Sequence, residues 1–182
     1  MQIDLFSEEE ILKGCKANKR KYQEILYRKY AKIMYGICLS YAGDRDLAQD
    51  ILQDSFIKIF NKIGEYRMEG SLQGWIRRIV TNTAIDHVRQ QGRLQNYLAD
   101  DKDTIIEGVY EPNALQDLQT DDVLTQVAKL PDGARIVFNL YALEGFTHKE
   151  IAEKLNITEG TSKSQYNRAR KLLISRLNSL SA

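Results

Sequence analysis

The chain is poor in the residues that break or cross-link a fold. Its 182 residues include two prolines, two cysteines and two histidines. So few prolines favour long uninterrupted helices, and two cysteines cannot build a disulfide-rich domain. We expect Cys15 and Cys38 to be reduced, partly buried thiols. Strand-like alternation and internal repeats are also lacking, so the sequence predicts an all-α protein.

The chain also lacks the patterns of a membrane protein and of an enzyme. No apolar run approaches the roughly 18–20 residues of a membrane span, and no charged-then-apolar leader is visible. His87 and His148 stand alone, without the Cys/His spacing of a metal site, and no glycine-rich phosphate loop occurs. We therefore expect a cytoplasmic protein without membrane insertion, catalytic residues, metal or cofactor.

The net charge of +1 favours no class of partner, but its distribution divides the chain. Residues 1–92 contain 15 basic and 12 acidic residues, residues 93–120 contain 2 and 6, and residues 121–182 contain 9 and 7. Helical periodicity also fades in the acidic middle segment. We predict two small helical domains, 1–92 and 120–182, joined by a flexible acidic linker at 93–119.

Three helices are predicted in the first domain. Ser7 and Glu10 form a capping box that would start the first of them. Residues 64–71 lack helical periodicity and include two glycines, which indicates a loop. Hydrophobic periodicity places the helices over residues 7–41, 46–62 and 71–91.

The end of the chain has the pattern of a helix-turn-helix. Thr147 and Glu150 form a second capping box, Asn156 suits the positive-φ position of a tight turn, and Thr158 would cap the last helix. Residues 159–182 contain five basic residues and one acidic residue, as in helices that enter the major groove of DNA. A basic solvated helix closing a small bundle would show the same pattern.

Two further segments suggest binding surfaces in the first domain. Asp46, Asp50 and Asp54 repeat at four-residue steps, a spacing at which like charges disfavour a helix by a few tenths of a kcal/mol per pair. Either a basic partner or a plain solvated face explains them. The predicted helix over 71–91 combines cations, an amide and aromatic rings, the groups that hold phosphates and stack unpaired bases. A buried tryptophan and surface ion pairs would explain the same residues.

Together these segments resemble one family, the extracytoplasmic-function (ECF) sigma factors, which give bacterial RNA polymerase its promoter specificity. Residues 46–60 are similar to the helix that binds the clamp of the largest polymerase subunit. Residues 74–89 are similar to the segment that opens and reads the −10 promoter element. Residues 130–173 resemble the domain that reads the −35 element.

The resemblance implies a mechanism and three sets of contact residues. The protein would bind core RNA polymerase at the clamp and flap region, read promoter DNA and help to open it, while the polymerase performs the chemistry. The loop at 66–71 would hold a flipped base. The implied contacts are Asp46, Asp50, Gln53 and Asp54 for the polymerase; Tyr66, Arg67, Ser71, Trp75, Arg77, Arg78, Asn82, Asp86 and Arg89 for the −10 DNA; and Thr161, Ser162, Lys163, Ser164, Gln165, Asn167, Arg168, Arg170 and Lys171 for the −35 DNA.

Some points stay open on the sequence alone. Gln165 stands where the family commonly has arginine, which implies a changed −35 base, since glutamine pairs with adenine and arginine with guanine. An anti-sigma partner is common in the family but leaves no readable mark here. A self-contained regulator with a helix-turn-helix and a helical adaptor without DNA are the rival interpretations, and the missing motifs disfavour an enzyme.

Overall fold

The chain is helical in both of its compact units, which confirms the predicted all-α class. The computed structural model describes residues 6–90 and 126–180, with side chains as far as residue 176. One unit comprises Met1–Leu39 and Asp44–Asp86, and the other comprises Ser40–Gly43 and His87–Ala182. The predicted linker at 93–119 and both domain boundaries lie outside the described residues.

The first unit is built mainly from long helices. The predicted capping box is present, because the Glu10 amide donates to Ser7 Oγ and the Glu10 carboxylate accepts from the Ser7 amide. The predicted loop begins with a 3₁₀ turn at Ile63–Glu65. The helices are α1 (Glu8–Lys16), α2 (Arg20–Ala42), α3 (Arg45–Lys62) and α4 (Leu72–Gln90).

The prediction of one helix over residues 7–41 is wrong, because the chain turns between α1 and α2. Asn18 has a left-handed φ of 54°, and the following amide of Lys19 donates to Gly14 O at 3.0 Å. Gly14 permits close packing of the two helices, since a Cβ there would lie 2.1 Å from the Tyr22 ring. Periodicity alone misses this break, because apolar residues continue at helical spacing on both sides of it.

Most apolar positions that helical spacing predicts lie in the core of the first unit, but Ile25, Ile37, Trp75 and Ile79 are only partly buried. Ile33, expected on the apolar face of α2, is 50% exposed. Both thiols are free and buried, as expected. Burial raises the pKa of Cys15 to about 11 and that of Cys38 to about 12, so both stay protonated. Fully buried core residues include Leu26, Met34, Ile51, Ile59 and Ile76.

The second unit packs two short helices and one long helix around a separate apolar core. The predicted left-handed turn is present, with Asn156 at φ 55°. The core joins Val127, Leu130, Ala134, Phe138, Ala169 and Leu173. The helices are α5 (Asp132–Phe138), continued by a π-helical turn at Asn139–Leu143, then α6 (His148–Leu155) and α7 (Glu159–Leu180).

Arg135 is a structural residue of the second unit, only 3% exposed. Its guanidinium donates to Tyr41 O at 3.0 Å and to Ala42 O at 3.2 Å, which satisfies carbonyls that a helix C-terminus leaves without partners. Gly43 makes room for this contact, since a Cβ there would lie 2.8 Å from the guanidinium. Arg135 therefore caps the carbonyls of Tyr41 and Ala42, which belong to the same unit as Arg135.

Candidate nucleic-acid interface

Helices α6 and α7 form the predicted helix-turn-helix. Thr147 and Glu150 make the predicted capping box at the start of α6. Thr158 caps α7, because the Thr161 amide donates to Thr158 Oγ1 at 3.0 Å. Each cap satisfies an amide that the first helical turn leaves unpaired, so both helix starts are fixed locally by sequence.

Helix α7 has an inner and an outer face. Ser162, Gln165, Ala169 and Leu173 are buried at 0–2% exposure, and their spacing of three and four residues is that of one helix face. The opposite face is polar and mostly basic. Its exposed members are Lys163, Asn167, Arg168 and Lys171, with Thr161, Ser164 and Arg170 partly exposed.

Two of the residues predicted to bind −35 DNA therefore lie on the wrong face. Ser162 is 0% exposed and Gln165 is 1% exposed, so neither side chain can reach a base edge in this conformation. Sequence pattern fails here because both are polar and would ordinarily be assigned to solvent. The expected change of −35 base through Gln165 loses its physical basis.

His148 fixes α6 against α7, although its sequence position suggested a histidine without a role. His148 Nδ1 lies 2.9 Å from the buried Ser162 Oγ. The imidazole also stacks on the Tyr141 ring at 4.4 Å between centroids and meets Tyr166 edge-on at 5.8 Å. Burial, and then the charge of Lys163, lowers the pKa of His148, so the neutral ring is the stable form in this cluster.

Helix α4 presents a polar edge to solvent. Arg78, Asn82 and Asp86 follow at four-residue steps, and all three are exposed, as is Arg89 one turn later. Asp86 lies 3.7 Å from the Lys58 ammonium of α3. Trp75 and Arg77 are only partly exposed. This edge therefore presents two cations, an amide and one carboxylate that has a cation beside it.

The loop before α4 is held by Tyr66, which was predicted to contact DNA. Tyr66 is 4% exposed, its hydroxyl donates to Gly70 O at 2.8 Å, and its ring packs 5.4 Å from that of Trp75. The prediction of a DNA contact is thus wrong for this side chain in the described conformation. The loop exposes its other residues: Arg67, Met68, Glu69, Gly70 and Ser71.

Helix α3 exposes the predicted acidic stripe beside an apolar groove. Asp46, Asp50 and Asp54 are all exposed, as is Gln53. The groove, of about 630 Å³, lies beside them and was not predicted. Ile57 is 52% exposed and Tyr27 is 42% exposed. The groove is lined by Tyr27, Tyr35, Gln49, Leu52, Gln53, Phe56, Ile57 and Phe60.

Comparison with known proteins places these features in a family. Residues 26–94 match Sigma-70 region 2, and residues 120–173 match Sigma-70, region 4. The ECF RNA polymerase sigma factor SigM of Bacillus subtilis is 30% identical over 149 residues, covering 81% of this chain and 90% of SigM. The chain belongs to the ECF sigma factors. It therefore directs promoter-specific initiation of transcription by RNA polymerase.

Other ECF sigma factors match over similar lengths. The ECF RNA polymerase sigma-E factor of Haemophilus influenzae is 26% identical over 188 residues, covering 96% of this chain and 97% of that protein. SigE of Mycolicibacterium smegmatis is 30% identical over 153 residues, which span 81% of this chain and 58% of SigE. The solved sigma factor RpoE of Bartonella quintana, in complex with the anti-sigma factor NepR, matches with a TM-score of 0.47 and 22% identity, covering 85% of this chain and 96% of RpoE.

The described part of this sigma factor contains neither a candidate metal site nor a candidate membrane span. Residues 6–90 and 126–180 contain no group of three or more His, Cys, Asp or Glu side chains that could hold a metal ion. In the same ranges no helix is both long and apolar enough to span a bilayer.

Proposed function

We propose that this sigma factor divides its contacts between its two units. The first would bind the polymerase clamp through α3 and the −10 element through α4 and the 66–71 loop, and the second would read the −35 element through α7. The observation that carries this proposal is the two-faced α7, whose inner face packs on the core while its outer face is basic and polar. Domain boundaries at 92 and 120 remain part of the proposal.

The clamp contact is supported by the chemistry beside α3. Stable protein interfaces combine an apolar centre with a polar rim. The groove supplies the apolar centre, with Ile57 half-exposed at its edge. Asp50, Gln53 and Asp54 supply an acidic rim, which suits a basic partner.

The −10 contact is supported by the exposed edge of α4. Arg78 and Arg89 can hold phosphates, and Asn82 can hydrogen-bond a base or the backbone. The adjoining loop offers Arg67 and Ser71, while buried Tyr66 keeps its shape. Strand opening would follow from capture of unstacked bases, each worth about 1–3 kcal/mol when it stacks on protein.

Two broader assignments also belong to this proposal. We place the protein in the cytoplasm, where RNA polymerase transcribes. The anti-sigma partner that the family resemblance implies stays a prediction, and binding of such a partner would compete with core polymerase if it covered the α3 groove.

The proposal is tested by run-off transcription with core RNA polymerase stripped of other sigma factors. Templates drawn from a genomic promoter library should give transcripts only when both proteins are present. Arg78→Ala should reduce promoter opening, measured by permanganate reactivity of unpaired thymines, by about tenfold, while core binding is retained. The matched control is Arg28→Ala, which changes another exposed arginine, on α2 and paired with Glu24, and this variant should open promoters normally. Absence of initiation from every template, or equal loss in both variants, would overturn the proposal.

A further inference from the structure

Among the side chains of α7 that the structure describes, as far as residue 176, one amide lies on the outer face, and it is not the one that the sequence pattern selects. Gln165 is 1% exposed and points into the second unit. Asn167, two residues later, lies on the exposed face of the same helix. Residues two positions apart point about 200° away from each other around a helix. Because Gln165 faces the core, Asn167 must face solvent.

The amide of Asn167 is available to hydrogen-bond a ligand, and a lysine lies one turn away on each side of it. Among the described residues Asn167 makes no side-chain hydrogen bond, so both its donor and its acceptor are open. Lys163, one turn earlier, lies 2.8 Å from Glu159 Oε1 in an exposed ion pair. Lys171 lies one turn later. The amide therefore sits between two cations on one face, with the first cation held in place.

The preference of each side chain for a base follows from the donor and acceptor pattern of the major groove. An asparagine amide matches adenine, donating to N7 and accepting from the N6 amino group, whereas lysine matches the O6 and N7 acceptors of guanine. Residues four apart on a helix are about 6 Å apart along its axis, and successive base pairs rise about 3.4 Å. Because a recognition helix lies across the groove and not along the DNA axis, Asn167 and Lys163 would contact different but nearby base pairs.

We propose that Asn167 selects an adenine in the −35 element and that Lys163 selects a guanine at a nearby base pair. This inference rests on the proposed function, because it requires α7 to lie in the major groove of the promoter. The preferred base in the −35 element would thus depend on the exposed amide of Asn167 and not on the buried amide of Gln165. A good bidentate contact gives about tenfold to a hundredfold discrimination against the wrong base.

The test is run-off transcription by core polymerase and the full chain on templates with a randomised −35 element, read by sequencing the transcribed molecules. Wild type should prefer adenine at one position by tenfold or more. Asn167→Ala should reduce that preference to within about twofold and leave the other positions unchanged. Asn167→Arg should change the preferred base there from adenine to guanine.

Two controls make the result decisive. Lys171→Ala, on the same face, should lower the yield from all sequences alike, because a lysine on phosphate carries no base information. Gln165→Leu, of similar size, should keep the adenine preference if the helical circular dichroism is retained. An adenine preference that survives Asn167→Ala, or one that vanishes with Gln165→Leu instead, would overturn the inference. Failure of wild type to initiate from any template would instead overturn the proposed function.

Discussion

Helices α3 and α7 are both amphipathic, yet their exposed faces have opposite chemistry. The outer side of α3 is acidic and borders a groove lined by aromatic and aliphatic side chains. That of α7 is basic and polar, with little apolar surface near its start. An apolar groove gains free energy from burial against any complementary protein, whereas a basic polar face gains it from phosphates and base edges. The exposed chemistry of α3 therefore suits a protein partner, and that of α7 suits DNA.

The largest expected effect is a loss of affinity for core polymerase when the groove beside α3 is altered. Ile57→Asp places a charge at the edge of the groove and should weaken binding to core polymerase about 30-fold or more, as loss of a central interface residue does. Competition binding with labelled core enzyme measures it.

The matched control for this change is Ile33→Asp. Ile33 is 50% exposed, against 52% for Ile57, but it does not line the groove. Core affinity should therefore stay within about twofold of wild type. Equal loss in the two variants would mean that general surface hydrophobicity, and not this groove, binds the polymerase.

A smaller effect distinguishes the charge chemistry of α7. Lys171→Ala should weaken promoter binding of the holoenzyme only a few-fold, but it should lower the slope of log affinity against log salt concentration by about 1. The physical reason is the loss of one phosphate contact and its released counterion. A filter-binding titration at several salt concentrations checks this, and an unchanged slope would remove Lys171 from the DNA interface.

The smallest expected effect is a loss of stability of the packing between α6 and α7 at low pH. The pKa of His148 is lowered, chiefly by burial, below the value of about 6.5 that holds in an unfolded chain. As pH falls, the unfolded chain therefore binds a proton at His148 before the folded chain does. The contribution of neutral His148 to stability is complete above about pH 6.5, and it is lost as pH falls from that value toward the lower pKa of the folded state. Hydrogen exchange should show α7 losing protection as pH falls from about 7 to below about 6.5, while α3 does not.

His148→Phe isolates this effect from other titrations. It keeps a ring that can stack on Tyr141 but removes both the proton and the Nδ1 contact with Ser162. We expect lower protection of α7 at pH 7 and little further loss on acidification. The same acid response in wild type and variant would assign it to another group.

Sequence alone predicts the local features of this molecule better than its surfaces. Both capping boxes and the left-handed Asn156 follow from residue types whose side chains or backbone preferences act within a few positions. The turn at Asn18 is missed because an apolar pattern continues across it. The α3 groove is missed because it exists only once α2 and α3 are packed together.

The candidate site shows the same division. Lys163, Asn167 and Lys171 lie on the exposed face where a basic helix was predicted. Ser162 and Gln165 are misassigned because the inner stripe of α7 uses polar residues, one of them bonded to His148. Tyr66 is misassigned because its hydroxyl has an internal partner in Gly70. Hydropathy cannot reveal a polar residue whose hydrogen bonds are satisfied by tertiary contacts.

The most direct test of this division of labour measures core affinity and −35 base preference for Ile57→Asp and Asn167→Ala side by side. Each variant should change one quantity alone: Ile57→Asp should bind core polymerase far more weakly yet give residual transcripts with the wild-type base preference, and Asn167→Ala should bind core normally yet lose its adenine. If both variants shifted both quantities together, the two helices could not have separate partners.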